Sequence, residues 1–146
     1  ELPTLTHFAC ELLSSSPITA FVSHRHELAK AGRLTFADLT HHPLVLRERG
    51  SKTRTKLEVA ARSVGVELKP AIEAEGREAV REIVASGAGI GFVSLAEFGE
   101  DKRLVPIRLV PEDQMMMDEA LICLRERRES KLVHAFFEIA RKLRST

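Results

Sequence analysis

Cysteine is scarce in this chain: its 146 residues hold only Cys10 and Cys123, far apart in apolar, helix- or strand-like surroundings. Neither a disulfide framework nor a zinc-ligand spacing follows from that pair, and a reducing compartment fits. Neither sign of charge dominates, because 22 Lys and Arg stand against 21 Asp and Glu for a formal net charge of +1. That balance gives no case for nucleic-acid or membrane binding by this segment itself. No apolar run approaches the ~20 residues that a bilayer crossing needs. Glu1-Leu2-Pro3-Thr4 shows neither an initiating methionine nor a recognisable leader, so the amino end is expected to lie in the middle of a domain.

Signatures of catalysis are missing as well. There is no Gly-x-Ser-x-Gly elbow, no P-loop and no paired-carboxylate motif, so no catalytic residue is named and the chain is not expected to be an enzyme. Gly87, Gly89 and Gly91 follow a helical pattern instead of opening one, which excludes a dinucleotide fingerprint. His24 and His26 at alternating positions could face the same side of a strand and His41-His42 lies near a strand entry, so a metal site is conceivable. No Cys or carboxylate completes a ligand set at a recognised spacing, and neither metal nor cofactor is expected.

What the chain does contain is an alternating apolar pattern. At 44% hydrophobic residues it can bury one good core, or two small lobes sharing a strand pair. Pro43-Leu44-Val45-Leu46 suits a buried strand, broken by the turn Arg47-Glu48-Arg49-Gly50-Ser51-Lys52-Thr53. From Ser51 the stripe Leu57, Ala60, Ala61 and Val64 predicts a helix stopped by a left-handed Gly65. Residues 66–74 read as a second strand. Gly76 opens a second helix with the stripe Ala79, Val80, Ile83 and Val84, ended by Ser86-Gly87-Ala88-Gly89 before the strand Ile90-Gly91-Phe92-Val93. The spacing predicts a β-α-β-α-β unit with parallel strands, right-handed crossovers and an α/β fold. In such sheets ligands bind outside the carboxyl ends of the strands, which here are Arg49 to Thr53, Glu75 to Arg77, and Ser94.

Those positions have the makings of an anion site. A helix leaves its first four backbone N–H groups without partners, and its dipole adds roughly half a positive charge there. Arg47, Arg49, Lys52, Arg54 and Lys56 are opposed within the same stretch only by Glu48. Taken singly, the basic residues read as a solvated face and Ser51 as a plain helix cap. Ser51 and Thr53 together at a strand-to-helix turn read either as caps or as ligand contacts.

The flanks are less regular. Residues 8–13 and 18–22 are apolar enough for two strands, with Ser14-Ser15-Ser16-Pro17 as the turn between them. Thr35 with Asp38 three residues later suits a capped helical turn. Residues 104–109 and 120–124 read as strands, separated by polar residues and by Met115-Met116-Met117, which read as packing. Beyond Glu129, the stripe Leu132, Val133, Phe136, Phe137, Ala140 and Leu143 predicts a helix covering a sheet, with Arg141, Lys142 and Arg144 near its carboxyl end.

The ordered set Phe21-Val22-Ser23-His24-Arg25-His26-Glu27-Leu28-Ala29, Leu34-Thr35-Phe36-Ala37-Asp38-Leu39, His42-Pro43-Leu44-Val45-Leu46-Arg47-Glu48, Gly50-Ser51-Lys52-Thr53-Arg54 and Arg77-Glu78-Ala79-Val80 to Gly87-Ala88-Gly89-Ile90-Gly91 resembles the effector-binding domain of LysR-type transcriptional regulators. The resemblance covers nearly the whole chain. It implies a periplasmic-binding-protein-like fold of two α/β subdomains joined by crossing strands, with a small effector in the cleft. Residues 21–94 would form mainly subdomain II, and residues 1–20 and 95–146 mainly subdomain I and the hinge, the opening part of subdomain I having no counterpart. Position by position it places Ser51 and Thr53 at the family's polar helix start, the Glu75–Arg77 turn on the next cleft-lining segment, and Val93 and Ser94 at the end of the following strand. The ligand-binding candidates are therefore Arg49, Gly50, Ser51, Lys52, Thr53, Glu75, Arg77, Val93 and Ser94. The resemblance also implies a small anionic effector (a carboxylate or phosphonate), DNA contacted through a separate winged helix-turn-helix domain, homodimers or homotetramers, and a cytoplasmic location without membrane contact. Residues 79–84 and 96–99 resemble members associated with aminoethylphosphonate catabolism. An extracytoplasmic solute-binding protein for a small anion would share the same physics, and a signal peptide in the full-length gene would mark it.

Overall fold

Alternation with period two decides the architecture, because the short strands are apolar at consecutive positions and so need cover on both faces. In the computed structural model, which describes residues 7–144, the chain divides into two compact units. The larger is Pro17–Met117; the smaller joins the described residues up to Ser16 to those from Asp118 onward.

In the larger unit, strand β3 (Leu44–Arg47) leads into helix α2 (Lys52–Ser63) and returns as β4 (Pro70–Ala74), parallel to β3. Helix α3 (Arg77–Ala85) then crosses to β5 (Gly91–Ser94). Even-numbered Leu44, Leu46 and Phe92 point into one core with Leu57, Ala60 and Ala61 of α2. Odd-numbered Val45 and Val93 point into a second core with Val80 and Val84 of α3. Strand β1 (Phe8–Ser23) follows the same rule: Ile18, Ala20 and Val22 enter the first core and Phe21 the second, so residues 18–23 are all buried.

Three expectations need correction. The third strand of the predicted unit is parallel to β3 only through the Leu44–Ile90 bridge, where Val45 N donates to Ile90 O (2.8 Å) and Ile90 N to Pro43 O (2.9 Å). From Gly91 onward it pairs antiparallel with β1, Phe21 opposite Gly91 and Ile18 opposite Ser94. A Cβ on Gly91 would lie 2.6 Å from Phe21 Cζ and 2.8 Å from Val84 Cγ2, so the absent side chain permits that close approach. Second, the predicted turn at residues 14–17 does not form, and β1 is one 16-residue strand. Its first half pairs with β7 (Met116–Leu124) and its second half with β5 and with β6 (Leu104–Val110). Pro17, which has no N–H to give, sits at the changeover, while Ser14 and Ser15 donate to Glu119 (3.0 Å) and Asp118 (2.7 Å). Third, the strand predicted over 66–74 is confined to Pro70–Ala74.

The sheet is completed by β2 (Arg33–Thr35), parallel to β6. Helical turn α1 (Phe36–Leu39) follows, closed by the expected capping box between Thr35 and Asp38. Gly65, at φ +77°, ends α2 as expected, although Val64, the last of that stripe, is exposed.

In the smaller unit, helix α4 (Lys131–Arg144) is where predicted, but only one edge of its stripe, Phe137 with the half-buried Val133 and Ala140, is turned inward. Phe137 is buried, whereas Leu132 is 82% and Leu143 74% exposed, and Phe136 is also exposed. Arg141 fixes the helix to β1 through paired 2.7 Å bonds to the Glu11 carboxylate.

Candidate functional site

The turns after β3 and β4 are tied together by a carboxylate that the sequence reading treated only as a counter-charge. Glu48 holds the Arg47 guanidinium with two bonds (2.8 and 2.6 Å) and accepts from the backbone N–H of Gly76 at 3.2 Å. Gly76 is the cap of α3, so an internal anion already sits at that helix start. The paired Arg47 guanidinium, with lesser help from the Gly76 N–H, pulls the Glu48 carboxyl down to about 2 from its ordinary 4.5.

The start of α2 is different. Ser51 caps this 12-residue helix, is buried, and its hydroxyl makes no cap hydrogen bond. Its carbonyl accepts from the Thr55 amide (2.9 Å) and hydroxyl (3.0 Å). The N–H groups of the first helical turn lack carbonyls four residues back within the helix, as at any helix start. Lys52 is exposed and Thr53 half-buried. Ser94 ends β5, against which α2 packs; it is buried and likewise makes no cap bond to the turn that follows it.

The other candidates distribute over two recesses. Arg77 and Val93 line a cavity of about 320 Å³ with Arg47 and Arg81, and Arg77 forms an ion pair with Glu97. Arg49 and Gly50 line a separate recess of about 460 Å³ beside Arg54 and Arg62. Glu75, in the turn before α3, is exposed.

Arg54 departs from the expected solvated face. It is 6% exposed, donating from Nε to Glu58 (2.8 Å) and from Nη1 to Glu73 (2.6 Å) and to the Arg47 carbonyl (2.8 Å). Those contacts raise its pKa, Glu58 first, and hold the start of α2 against the end of β3. Arg81, Glu97 and Phe98 also escaped the sequence reading. The available signal was the i, i+4 pair Arg77 and Arg81 facing the segment after β5.

The histidines take structural partners. His26 Nδ1 accepts from the Leu28 amide (3.1 Å), His24 Nδ1 lies 3.1 Å from the Arg103 carbonyl, and His42 Nδ1 lies 3.4 Å from Glu27. Among the described residues, no group of three or more His, Cys, Asp or Glu is placed to hold a metal ion, and no helix is long and apolar enough to cross a membrane.

Residues 1–144 match the family model described as the LysR substrate binding domain. The HTH-type transcriptional activator CmpR of Synechocystis is 30% identical over 80 residues, 55% of this chain and 26% of that protein. The RuBisCO operon transcriptional regulator of Allochromatium vinosum is 29% identical over 108 residues, 72% of this chain and 36% of that protein. The chain thus spans about a quarter to a third of these curated relatives. Among solved structures, a LysR family transcriptional regulator from Pseudomonas aeruginosa superimposes with a TM-score of 0.83 at 17% identity, over 100% of this chain and 52% of that one. The Synechocystis CcmR regulatory domain in complex with 2-PG gives 0.81 at 19% identity, over 98% and 70%. The BenM effector binding domain with its effector benzoate gives 0.77 at 18% identity, over 99% and 67%.

Proposed function

The chain belongs to the LysR substrate-binding domain family, and on that premise we propose that it senses a small anionic metabolite, a carboxylate or phosphonate, and passes the signal to a separate DNA-binding domain. The single observation that carries this reading is the start of α2. Ser51, a buried residue whose hydroxyl makes no cap bond, heads a 12-residue helix whose first-turn N–H groups have no acceptor within the helix, and only its own N–H is taken, by the Glu48 carbonyl (3.2 Å), while at the neighbouring start of α3 the Gly76 N–H donates to the Glu48 carboxylate. An anion at α2 would satisfy the orphan donors and the dipole together.

The proposed contacts centre on Ser51, Lys52, Thr53 and Ser94, flanked by Arg49, Gly50 and Glu75. Arg77 and Val93 belong to the neighbouring cavity. Benzoate in the BenM domain is a carboxylate, which agrees in charge. We take the larger unit as subdomain II and the smaller as subdomain I and hinge. Effector binding shifts the regulator between arrangements only by its differential affinity for them. Couplings of this kind amount to about 1–3 kcal/mol. A regulator of this type works as a homodimer or homotetramer in the cytoplasm, where its DNA lies.

Calorimetric titration of the chain with benzoate and with methylphosphonate tests the site. At least one should bind, and Ser51→Ala should weaken it about tenfold, the loss of one charge-assisted hydrogen bond. Unchanged affinity in Ser51→Ala, or binding of neither anion, refutes it.

A further inference from the structure

The cavity beside α3 has a chemistry unlike that of the α2 start. Three arginines, Arg47, Arg77 and Arg81, and three glutamates, Glu78, Glu97 and Glu100, line it together, so both signs of charge meet at its rim. Its floor is apolar: Phe21 and Phe98 meet edge to face at 5.8 Å, with Val80 and Val93 beside them. At about 320 Å³ it falls at the lower end of small-molecule sites.

The rim pairs differ in how firmly they are held. Arg47 is locked to Glu48 by two bonds. Arg81 donates to the Phe98 carbonyl at 2.5 Å, lies 5.5 Å over the Phe98 ring and faces Asp101, which makes it a wall. Arg77 and Glu97 hold each other at the mouth, 47% and 33% exposed. Such exposed pairs are opened at little cost. A simple anion entering there would separate Arg77 from Glu97 and leave the carboxylate facing a like charge. A simple cation would do the converse to Arg77. A ligand carrying both charges can take the place of each partner at once.

We infer that this cavity is a second binding site, distinct from the start of α2, for a small zwitterion with an apolar group: an α-amino acid whose carboxylate meets Arg77, whose ammonium meets Glu97, and whose side chain lies on Phe21 and Phe98. The test is calorimetric titration of the chain with L-leucine, L-methionine and L-phenylalanine at millimolar concentration. The des-amino analogue 4-methylpentanoate and the des-carboxy analogue isoamylamine serve as controls. At least one amino acid should bind about tenfold or more tightly than either analogue, the worth of one charge-assisted contact. Arg77→Gln and Glu97→Gln should each weaken it by a similar factor, and Ser51→Ala should leave it unchanged. Absence of binding by all three amino acids, equal binding of an analogue, insensitivity to both cavity substitutions, or loss in Ser51→Ala would overturn the proposal. None of those results bears on benzoate or methylphosphonate at α2.

Discussion

Replacing Arg54 by methionine keeps the aliphatic stem packed and removes the guanidinium that joins α2 to β3 and β4. Three hydrogen bonds go with it: to Glu58, Glu73 and the Arg47 carbonyl. Hydrogen bonds to charged groups contribute about 1.5–3 kcal/mol each, and a stranded buried acceptor costs about 1–3 kcal/mol. The contributions do not simply add, because Glu58 and Glu73 are 30% and 44% exposed and regain water when released. What remains is one uncompensated carbonyl and roughly one effective charged bond, or about 2–4 kcal/mol, slightly below the ~3–5 kcal/mol for breaking a fully buried pair. With no Trp or Tyr in the chain, unfolding is best followed by far-ultraviolet circular dichroism. At a urea slope near 2 kcal/mol per molar, the midpoint should fall by about 1–2 M with the slope unchanged. Glu73→Gln, which touches only the exposed partner, should move the midpoint far less than Arg54→Met does. A negligible shift in Arg54→Met, or an equal loss in both variants, would refute the reasoning.

Glu48, whose carboxyl is depressed to about 2, contributes stability that is complete above its ordinary 4.5 and is lost as pH falls toward 2. Denaturation midpoints should therefore drop across that window in the parent chain and drop less in Glu48→Gln; parallel profiles would remove Glu48 from that role. Gly91→Ala forces a methyl against Phe21 and Val84. It should cost about 1–3 kcal/mol, lowering Tm by roughly 3–10 °C, and an unchanged melt would contradict the close packing. On α4, Phe137→Ala should cost about 3 kcal/mol while the exposed Phe136→Ala stays within about 1 kcal/mol, and the reverse order would mean that the helix is turned the other way.

Where one local rule sufficed, the fold could be read from residues alone. The capping box at Thr35 and Asp38, the Gly65 stop, and the strands and helices from 44 to 94 were all set by short-range chemistry. Strand partners were harder, since β5 reads as apolar whether it lies beside β3 or β1, and only the small size of Gly91 hints at the second. The Ser14–Pro17 segment has turn composition, yet its serines are satisfied by Asp118 and Glu119, more than a hundred residues away. On α4 periodicity located the helix but did not select its buried edge, which the Arg141–Glu11 pairing and Phe137 mark. At the site, the sequence pattern points to Ser51 and Arg77 alike, but no spacing rule foretells that Glu48 reaches across to the Gly76 N–H at one of the two helix starts.

The central claim is that the open start of α2, and not the carboxylate-filled start of α3, receives a negatively charged metabolite. Amide chemical-shift mapping of the isotope-labelled chain during titration with methylphosphonate or benzoate addresses it residue by residue. The account predicts the largest changes at the amides of Lys52, Thr53 and Arg54, with Gly76 and Arg77 little moved. Changes centred on Gly76 and Arg77, or on neither helix start, would contradict it.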